Sequence, residues 1–366
     1  MMRSGILGSG GDMAARINSC SNSQPVRKLD RRNFLLLAAG AGAGLIGAAT
    51  GGDKISQALG ASTQLEKPLV VDKSAVVVVR NEKLFKNGSG LRDDQVAQAL
   101  SVGVAALFDN QDPVKNWRDL FKPSDIVGIK VNCIAGPELS THPQVVMAIA
   151  LQLQAAGVPA ENIIVWDRTS RELTRAGYTV NTGNKGIRVY GTDAVGYEEK
   201  AVSHKSFNGR LSKILTRQIT ALINVPILKD HSGAGVTISM KNHYGSIQNP
   251  GNHHNNLCDP YIADLNSVDE IRSKTRLIVC DATRASCNGG PGYNAAFAWR
   301  YCGLLISRDP VALDTIGTGI IDERREQMGL PKLEKIGRYP RQLISAADNG
   351  LGNTESARID LRSTIL

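Results

Sequence analysis

Short apolar runs alternate with amphipathic segments along the chain from about residue 75 onward. Runs rich in Val, Ile and Leu predict buried strands at residues 75–80, 126–132, 162–167, 187–190, 221–226, 276–281 and 303–307. Helical spacing of apolar positions predicts helices at residues 93–108, 143–157, 260–273, 311–328 and 339–348, and a short helix that ends at Gly177. This alternation is typical of an α/β fold, and we predict Rossmann-like layering in which helices flank a mainly parallel sheet.

Neither a repeat nor a low-complexity linker divides the sequence after residue 70. The sequence therefore predicts a leader with a signal segment at residues 1–60, a single α/β domain at 70–350, and a C-terminal tail at 351–366. Residues 180–220 are expected to form a small cap on that domain.

The leader carries a paired-arginine pattern. Arg31 and Arg32 directly precede an uncharged run rich in Gly and Ala, from Phe34 to Ala49. This run is shorter than the roughly 20 residues that a membrane-spanning helix needs, and it resembles a twin-arginine (Tat) export signal. The resemblance implies export to the periplasm by the Tat machinery, which carries folded proteins. A buried core helix and an uncleaved membrane anchor are the alternatives, and without such an anchor no stable membrane span is expected.

Composition and charge remove several classes of protein. The 366 residues are 42% hydrophobic and 5% aromatic, which excludes a collagen, a disordered polyanion and a multi-span membrane protein. The net charge is +9, but residues 1–50 hold six basic and two acidic residues, so the remainder carries only +5. That remainder has no run of five basic residues and no interleaved aromatics, so nucleic-acid binding is not expected.

Polar side chains follow five of the predicted strands. In open α/β sheets ligands bind at the carboxyl ends of parallel strands, so these residues are expected at one rim. They are Lys130, Asn132, Asp167, Lys229, His231, Lys241, Asn242, Asp281, Arg284 and Asp309. For each one alone, capping of the next helix is the alternative.

Three of these residues are predicted to be catalytic. Lys229 and Lys241 favour an anion such as a carboxylate or phosphate, which they would hold or polarise. An imidazole can titrate near neutral pH, so His231 is assigned as general base or metal ligand. The predicted substrate-binding residues are Lys130, Asn132, Asn242, Asp281 and Arg284, and Asp281 and Asp309 are expected to orient or coordinate.

A second group of residues offers metal ligands. His231, His243, His254, Cys258 and Asp259 are donors suited to zinc, iron or nickel. Their spacings match no tight ligand motif, and a solvated polar loop is the alternative for residues 249–259. No ferredoxin-type iron–sulfur motif is present, so the sequence names no cofactor. Beyond the leader the number of cysteines is odd, and Cys280 with Cys287 is one pair open to oxidation outside the cytoplasm. Because Cys280 lies inside an apolar strand, a small core residue is the favoured interpretation for it.

The segment SGAGVTISMKNHYG that follows His231 has small residues early and Gly at its close. It favours a helix whose N-terminal amides face an anion, with a tight strand-to-helix turn as the alternative.

The motifs IVGIKVN, THPQVV, NVPILKDHSGAGVTISMKNHYGSI, VCDATRASCNGGPG and SRDPVALDTIG together resemble the domain of unknown function 362 family, from about residue 75 to 350. The resemblance supports Lys130, Asn132, Lys229, His231, Lys241 and Asn242 as site residues. Some members append an iron–sulfur segment that this chain lacks, and the family has no settled reaction. The expected function is an exported enzyme that acts on a small anionic substrate. Two points stay open: whether a metal assists, and whether the reaction is a proton transfer, an isomerisation or a redox reaction. A metal- or cofactor-binding, maturation or redox accessory protein of the cell envelope is the alternative.

Overall fold

A computed structural model describes residues 73–86, 88 and 90–366. The predicted signal segment and leader lie outside these residues. The described strands are β1 Ser74–Arg80, β2 Val127–Lys130, β3 Ile163–Trp166, β4 Arg188–Val189, β5 Val202–His204, β6 Phe207–Gly209, β7 Ala221–Asn224, β8 Ile227–His231, β9 Gly235–Thr237, β10 Thr275–Ser286, β11 Ala298–Ser307 and β12 Ile359–Ile365.

The helices of the same part of the chain vary from one turn to five. They are α1 Asp93–Phe108, α2 Pro113–Leu120, α3 Pro143–Ala155, α4 Ser170–Arg175, α5 Ser239–Asn242, α6 Tyr261–Asn266, α7 Asp269–Arg272, α8 Pro310–Gln327 and α9 Gln342–Asp348. A π-helical turn spans Ile214–Gln218, and short 3-10 turns follow α5 at His243–Ser246, Pro250–His253 and Asn255–Cys258. None of the described helices is long and apolar enough to cross a membrane.

One mixed sheet organises the molecule. Its strand order is β12-β1-β11-β10-β7-β2-β3-β4, and β8 extends from β10 and forms a hairpin with β9. Most neighbours are parallel, whereas β11 runs antiparallel to both β1 and β10. The predicted α/β fold with a mainly parallel sheet flanked by helices is therefore confirmed.

Alternate residues of the central strands face opposite layers of helices. In β3, Ile163 and Val165 join an apolar cluster that includes residues of α1, α2 and α3. Ile164 and Trp166 point the other way, into a cluster with residues of α6 and α9. Strands buried on both faces give the continuous apolar runs seen in the sequence, because water reaches neither side.

The predicted helix at residues 260–273 is divided in two, α6 and α7. Near the break, the Asn266 side chain donates to the Ile262 carbonyl at 2.7 Å and the Ser267 hydroxyl donates to the Ala263 carbonyl at 2.9 Å. Side-chain bonds of this kind are typical of helix ends, and the break itself is at Val268, whose φ and ψ of −64° and 135° are extended.

Two further features differ from the sequence-based expectation. The predicted tail at 351–366 contains β12, which pairs in parallel with β1 from Ser74 to Arg80. The segment after His231 turns back as β9 before the short helix α5 begins, so β8 and β9 form a hairpin.

Cys280 is the buried core residue that its apolar strand predicts. Cys280 and Cys287 are both free thiols, so the pair that was open to oxidation is not joined.

Candidate functional site

The carboxyl ends of β2, β3, β7 and β8 meet at one rim of the sheet and carry a buried polar network. Its central contact joins Lys130, the last residue of β2, to Asp167, which directly follows β3. The two side chains are 2.7 Å apart, and both are almost completely buried. The other oxygen of Asp167 accepts from the Cys133 amide at 2.7 Å. The charge of Lys130 is therefore neutralised within the protein.

Gly245 packs directly on this ion pair. A Cβ at this position would lie 2.7 Å from both Asp167 Oδ1 and Lys130 Nζ. Only glycine fits there without displacing the charged atoms, which gives the Gly at the end of the KNHYG segment a packing role.

Lys229, on β8, is attached to the same network but has no carboxylate partner. Its Nζ donates to Asn132 Oδ1 at 2.9 Å. Within the described residues this is the single hydrogen bond of the Lys229 ammonium group. Asn132 in turn donates to Asn242 Oδ1 at 3.1 Å, which Lys130 also approaches at 3.4 Å. Because Lys229 is fully buried, desolvation lowers its pKa to about 8.

Lys241 is a second buried lysine without a described ion pair. It lies in α5, with Nζ 3.3 Å from His254 Nε2, 3.7 Å from Cys258 Sγ and 3.7 Å from the centre of the Tyr244 ring. Burial lowers the pKa of Lys241 to about 8, although the Cys258 sulfur acts in the opposite direction. The aromatic face and the soft sulfur stabilise the ammonium only weakly compared with a carboxylate.

The role predicted for His231 needs correction. Its Nδ1 accepts hydrogen bonds from the amides of Gly233 and Ala234, at 2.9 and 3.1 Å. The ring proton is therefore on Nε2, and burial together with Lys241 lowers the pKa of His231 to about 2. A neutral ring in this tautomer is a hydrogen-bond donor at Nε2. It has no lone pair there to serve as the predicted general base or metal ligand.

The predicted metal ligands do not converge. The His254 ring lies 5.7 Å from that of His231, but its Nε2 faces Lys241. His243 is buried beneath, against Ser246 and Asn224, and burial lowers its pKa to about 3. Asp259 has one buried carboxylate oxygen without a hydrogen-bond partner among the described residues. In the described part of the chain no group of three or more His, Cys, Asp or Glu side chains could hold a metal ion.

The N-terminus of α5 is also occupied by the protein itself. Asp314, from α8, accepts from the Ser239 amide at 2.8 Å, the Ser239 hydroxyl at 2.5 Å and the Met240 amide at 3.1 Å. Burial raises the pKa of Asp314 to about 7. The expected anion at these amides is thus replaced by an internal carboxylate.

Asp281 and Arg284 lie at the rim but are engaged with the loop before α3. Both oxygens of the buried Asp281 carboxylate are used, by His142 and by Thr283. Arg284 forms an ion pair with Glu138. Neither side chain is left open in the way predicted for substrate binding.

The position predicted for Asp309 is wrong. Because β11 is antiparallel to β10, the carboxyl end of β11 lies beside the amino ends of the parallel strands, on the side of the sheet away from the rim. There Asp309 caps α8, with the amides of Val311 and Ala312 at 2.8 Å, and accepts from the Ser74 hydroxyl at 2.5 Å.

The structure adds two residues that the sequence reasoning did not assign to the site. His142 directly precedes α3, and its Nδ1 lies 2.8 Å from Asp281 Oδ2. In the sequence, the only indication of a role for His142 in the site was its position in a loop that follows a predicted strand. Thr237 pairs across the hairpin with Lys229, and its buried hydroxyl has no partner among the described residues. Nothing in the sequence distinguishes it from other strand threonines.

The family model for domain of unknown function 362 (DUF362) matches residues 127–319, more than half of the chain. The chain belongs to the DUF362 family. The match contains Lys130, Lys229 and Lys241, so all three lysines lie within the DUF362 domain.

No curated protein matches this DUF362 chain. A crystal structure of a Thermotoga maritima protein, a structural genomics target, aligns with a TM-score of 0.38 and 10% sequence identity. The alignment covers 66% of this chain and 61% of that one, which is less than two thirds of the Thermotoga protein's length.

Proposed function

We propose that this protein is an exported enzyme that acts on a small anionic substrate held by Lys229 and Lys241. The observation that carries the proposal is the contrast between three buried lysines at one rim. Lys130 has a carboxylate at 2.7 Å, whereas the described residues supply no ion pair to Lys229 or Lys241.

A buried ammonium without a counter-ion is costly, because the protein replaces little of the hydration that burial removes. An anion between the two lysines supplies the missing charge. The neutral His231 ring carries an N–H at Nε2, and the charges of Lys241 and Lys229 both help to lower its pKa, so the ring lies near both lysines. Two ammonium groups and an imidazole N–H are a set of donors suited to a carboxylate or another small oxyanion.

Access is expected beside the loop at residues 249–259. Asn132, His231 and Lys241 keep between 5% and 8% of their surface exposed, whereas Lys229 lies beneath them with none. In this loop Asn256, Leu257 and Cys258 have φ values of 49°, 57° and 65°. Left-handed backbone is unfavourable for a residue such as Leu257, and such strain clusters at sites that move or bind. We expect the loop to shift when the anion enters.

The lysines can take part in proton exchange as well as in binding. Burial lowers the pKa of Lys229 and of Lys241 to about 8, so in the ligand-free protein each amine gains and loses protons close to neutral pH, as a general acid or base must.

Ligand-induced stabilisation tests the anion site. The full chain is heated with acetate, pyruvate, phosphate or sulfate at constant ionic strength, since a ligand of the folded state raises the melting temperature. At least one anion is expected to stabilise the wild type but not Lys229→Met or Lys241→Met, while the exposed control Lys200→Met behaves as wild type. An unchanged melting temperature with every anion, or equal shifts in all four proteins, contradicts the proposal.

The enzyme and the accessory protein are separated by following the bound anion itself. Proton NMR of each stabilising anion over many hours reports any chemical change. Conversion that depends on Lys229 supports the enzyme. Stable binding without any change favours the binding or maturation protein.

Export through the Tat route rests on Arg31 and Arg32, which lie outside the described residues. In a bacterial host the wild type is expected in the periplasm, and Arg31→Lys with Arg32→Lys in the cytoplasm. Arg16→Lys with Arg27→Lys is the matched control and should be exported. Retention in the membrane fraction indicates the uncleaved anchor, and equal distribution of all variants contradicts a Tat signal.

A further inference from the structure

The strongest unassigned feature of the rim is the contact between His142 and Asp281. Asp281 Oδ2 accepts from both the backbone amide and the ring Nδ1 of His142, each at 2.8 Å. The other oxygen accepts from the amide and the hydroxyl of Thr283, at 2.9 and 2.7 Å. The carboxylate is completely buried, and four donors fix its orientation.

These contacts decide the tautomer of His142. The backbone amides of His142 and Thr283 and the Thr283 hydroxyl all donate to Asp281, and contacts with these two residues hold its pKa below its usual value against the effect of burial, so Asp281 is a carboxylate. A carboxylate accepts, so Nδ1 of His142 carries the proton and Nε2 carries the lone pair. Within the described residues Nε2 has no hydrogen bond, and the side chain is 13% exposed.

His142 and His231 are therefore complementary. His231 presents an N–H at Nε2 because two backbone amides occupy its Nδ1. His142 presents a lone pair at Nε2 because a carboxylate occupies its Nδ1. A rim with one neutral imidazole donor and one imidazole base is equipped to remove a proton at one atom and stabilise the charge that develops at another.

His142 is also connected to the proposed anion site. The Thr141 hydroxyl accepts from the Asn132 amide at 3.0 Å, and the Thr141 amide donates to the Asn132 carbonyl at 2.9 Å. Asn132 is the residue that binds Lys229 Nζ. His142 is therefore the next residue after Thr141, which two hydrogen bonds hold against Asn132, the partner of Lys229.

We propose that His142 is the general base for a 2-oxo carboxylate, with Asp281 as its positioning residue. This inference rests on the proposed function. The carboxylate group lies at the lysines, and His142 Nε2 takes a proton from the carbon next to the ketone. As that C–H bond breaks, its electron pair moves into the enolate, whose oxygen receives hydrogen bonds from Lys229 and His231. The imidazolium is stabilised by Asp281 and returns the proton to carbon, so the cycle needs no oxidant, reductant or second reactant.

Deuterium exchange tests this step without knowledge of the final product. The full chain is incubated in D₂O with pyruvate, 2-oxobutyrate or 2-oxoglutarate, and proton NMR follows loss of the C3 hydrogens. The wild type is expected to accelerate exchange of at least one of them. His142→Gln should slow it by about 10²- to 10⁴-fold, the range for a lost general base, while His204→Gln, on β5, matches the wild type.

Asp281→Asn gives a second readout, for a variant in which His142 itself is intact. Without the carboxylate the imidazolium is less stable, so the onset of exchange with rising pH is expected at lower pH, together with a slower maximal rate. A role in folding alone would not move that onset. An unchanged pH profile contradicts the positioning role of Asp281.

Binding of the same 2-oxo acids, measured by thermal shift, separates the two proposals. Binding without accelerated exchange, or exchange equal in wild type and His142→Gln, overturns the assignment of His142 and leaves the anion site standing. No stabilisation by any anion overturns both.

Discussion

Thr237 lies directly opposite Lys229 in the β8–β9 hairpin, and its buried hydroxyl has no hydrogen-bond partner among the described residues. Directly opposed residues of an antiparallel pair present their side chains on the same face. The deep end of the site therefore holds an ammonium with a single described hydrogen bond beside a hydroxyl with none. Both groups are available as donors to an anion.

We expect Thr237→Val to weaken anion binding while the folded protein becomes no less stable. An unpaired buried hydroxyl costs about 1–3 kcal/mol, and its removal relieves that cost while the volume is kept. Urea unfolding measures the stability, and thermal shift measures the binding. Thr318→Val is the matched control, since Thr318 donates to the Asp314 carbonyl at 2.7 Å and its loss should destabilise. Equal losses of stability in the two variants contradict the interpretation of Thr237.

Lys229→Met is expected to change the pH dependence of stability. The folded-state pKa of Lys229 is lowered to about 8 from a usual 10.5, so between these values the unfolded chain binds more protons. The free energy of unfolding therefore rises with pH across this window in the wild type, by about 1.4 kcal/mol for each unit of pKa difference. In the variant this contribution is absent, so its stability relative to wild type is highest near pH 7. Urea unfolding from pH 7 to 10.5 measures the difference.

Lys130→Met is the contrasting substitution. It leaves Asp167 buried without its ammonium, and breaking a buried pair in this way costs about 3–5 kcal/mol. We expect strong destabilisation already at pH 7. Similar behaviour of the Lys130 and Lys229 variants would contradict the distinction between a neutralised and an open lysine.

Anion affinity is expected to fall as pH rises above about 8. The pKa values of Lys229 and Lys241 are both lowered to about 8, so the free protein loses these positive charges above that pH. The bound anion favours the charged form, hence binding takes up protons there and weakens by up to about tenfold per pH unit for each lysine that deprotonates. Calorimetry in buffers of different ionisation enthalpy measures both the affinity and the proton uptake. An affinity that is constant from pH 7 to 10 contradicts this assignment.

Gly245→Ala is expected to destabilise the protein by about 1–3 kcal/mol, the usual cost of an overpacked site. The added methyl would lie 2.7 Å from both charged atoms of the Lys130–Asp167 pair, so these buried side chains must shift. Gly251→Ala is the control, because a Cβ there meets nothing within 4 Å. Differential scanning calorimetry compares the two, and equal melting temperatures would show that Gly245 tolerates a side chain.

Much of this arrangement was predictable from the sequence. The boundaries of α1 agree with the predicted helix at 93–108, and the runs at 126–132, 162–167 and 221–226 contain β2, β3 and β7. Local periodicity is sufficient here because strands buried between helical layers must be apolar throughout. Lys130, Asn132 and Lys229 were placed together for a related reason, since parallel strands end at a common edge.

Strand direction could not be predicted in the same way. The apolar run that forms β11 has the same pattern as the runs of the neighbouring strands. Because β11 pairs antiparallel with β10, Asp309 lies at the end of the sheet opposite the rim. A strand's apolar pattern is the same in either direction, so only the pairing decides which residues reach the rim.

The sequence by itself determined the α/β class, the membership of the central strands and the set of polar residues at their ends. The tertiary structure alone decided what each polar residue does there. Two backbone amides make His231 a donor at Nε2, a buried carboxylate leaves the lone pair of His142 on Nε2, and Asp167 forms an ion pair with Lys130 but not with Lys229. Protonation and charge depend on contacts between residues far apart in the chain, so they follow from the tertiary structure. Apolar periodicity is local, so the strands and helices that it predicts follow from the sequence.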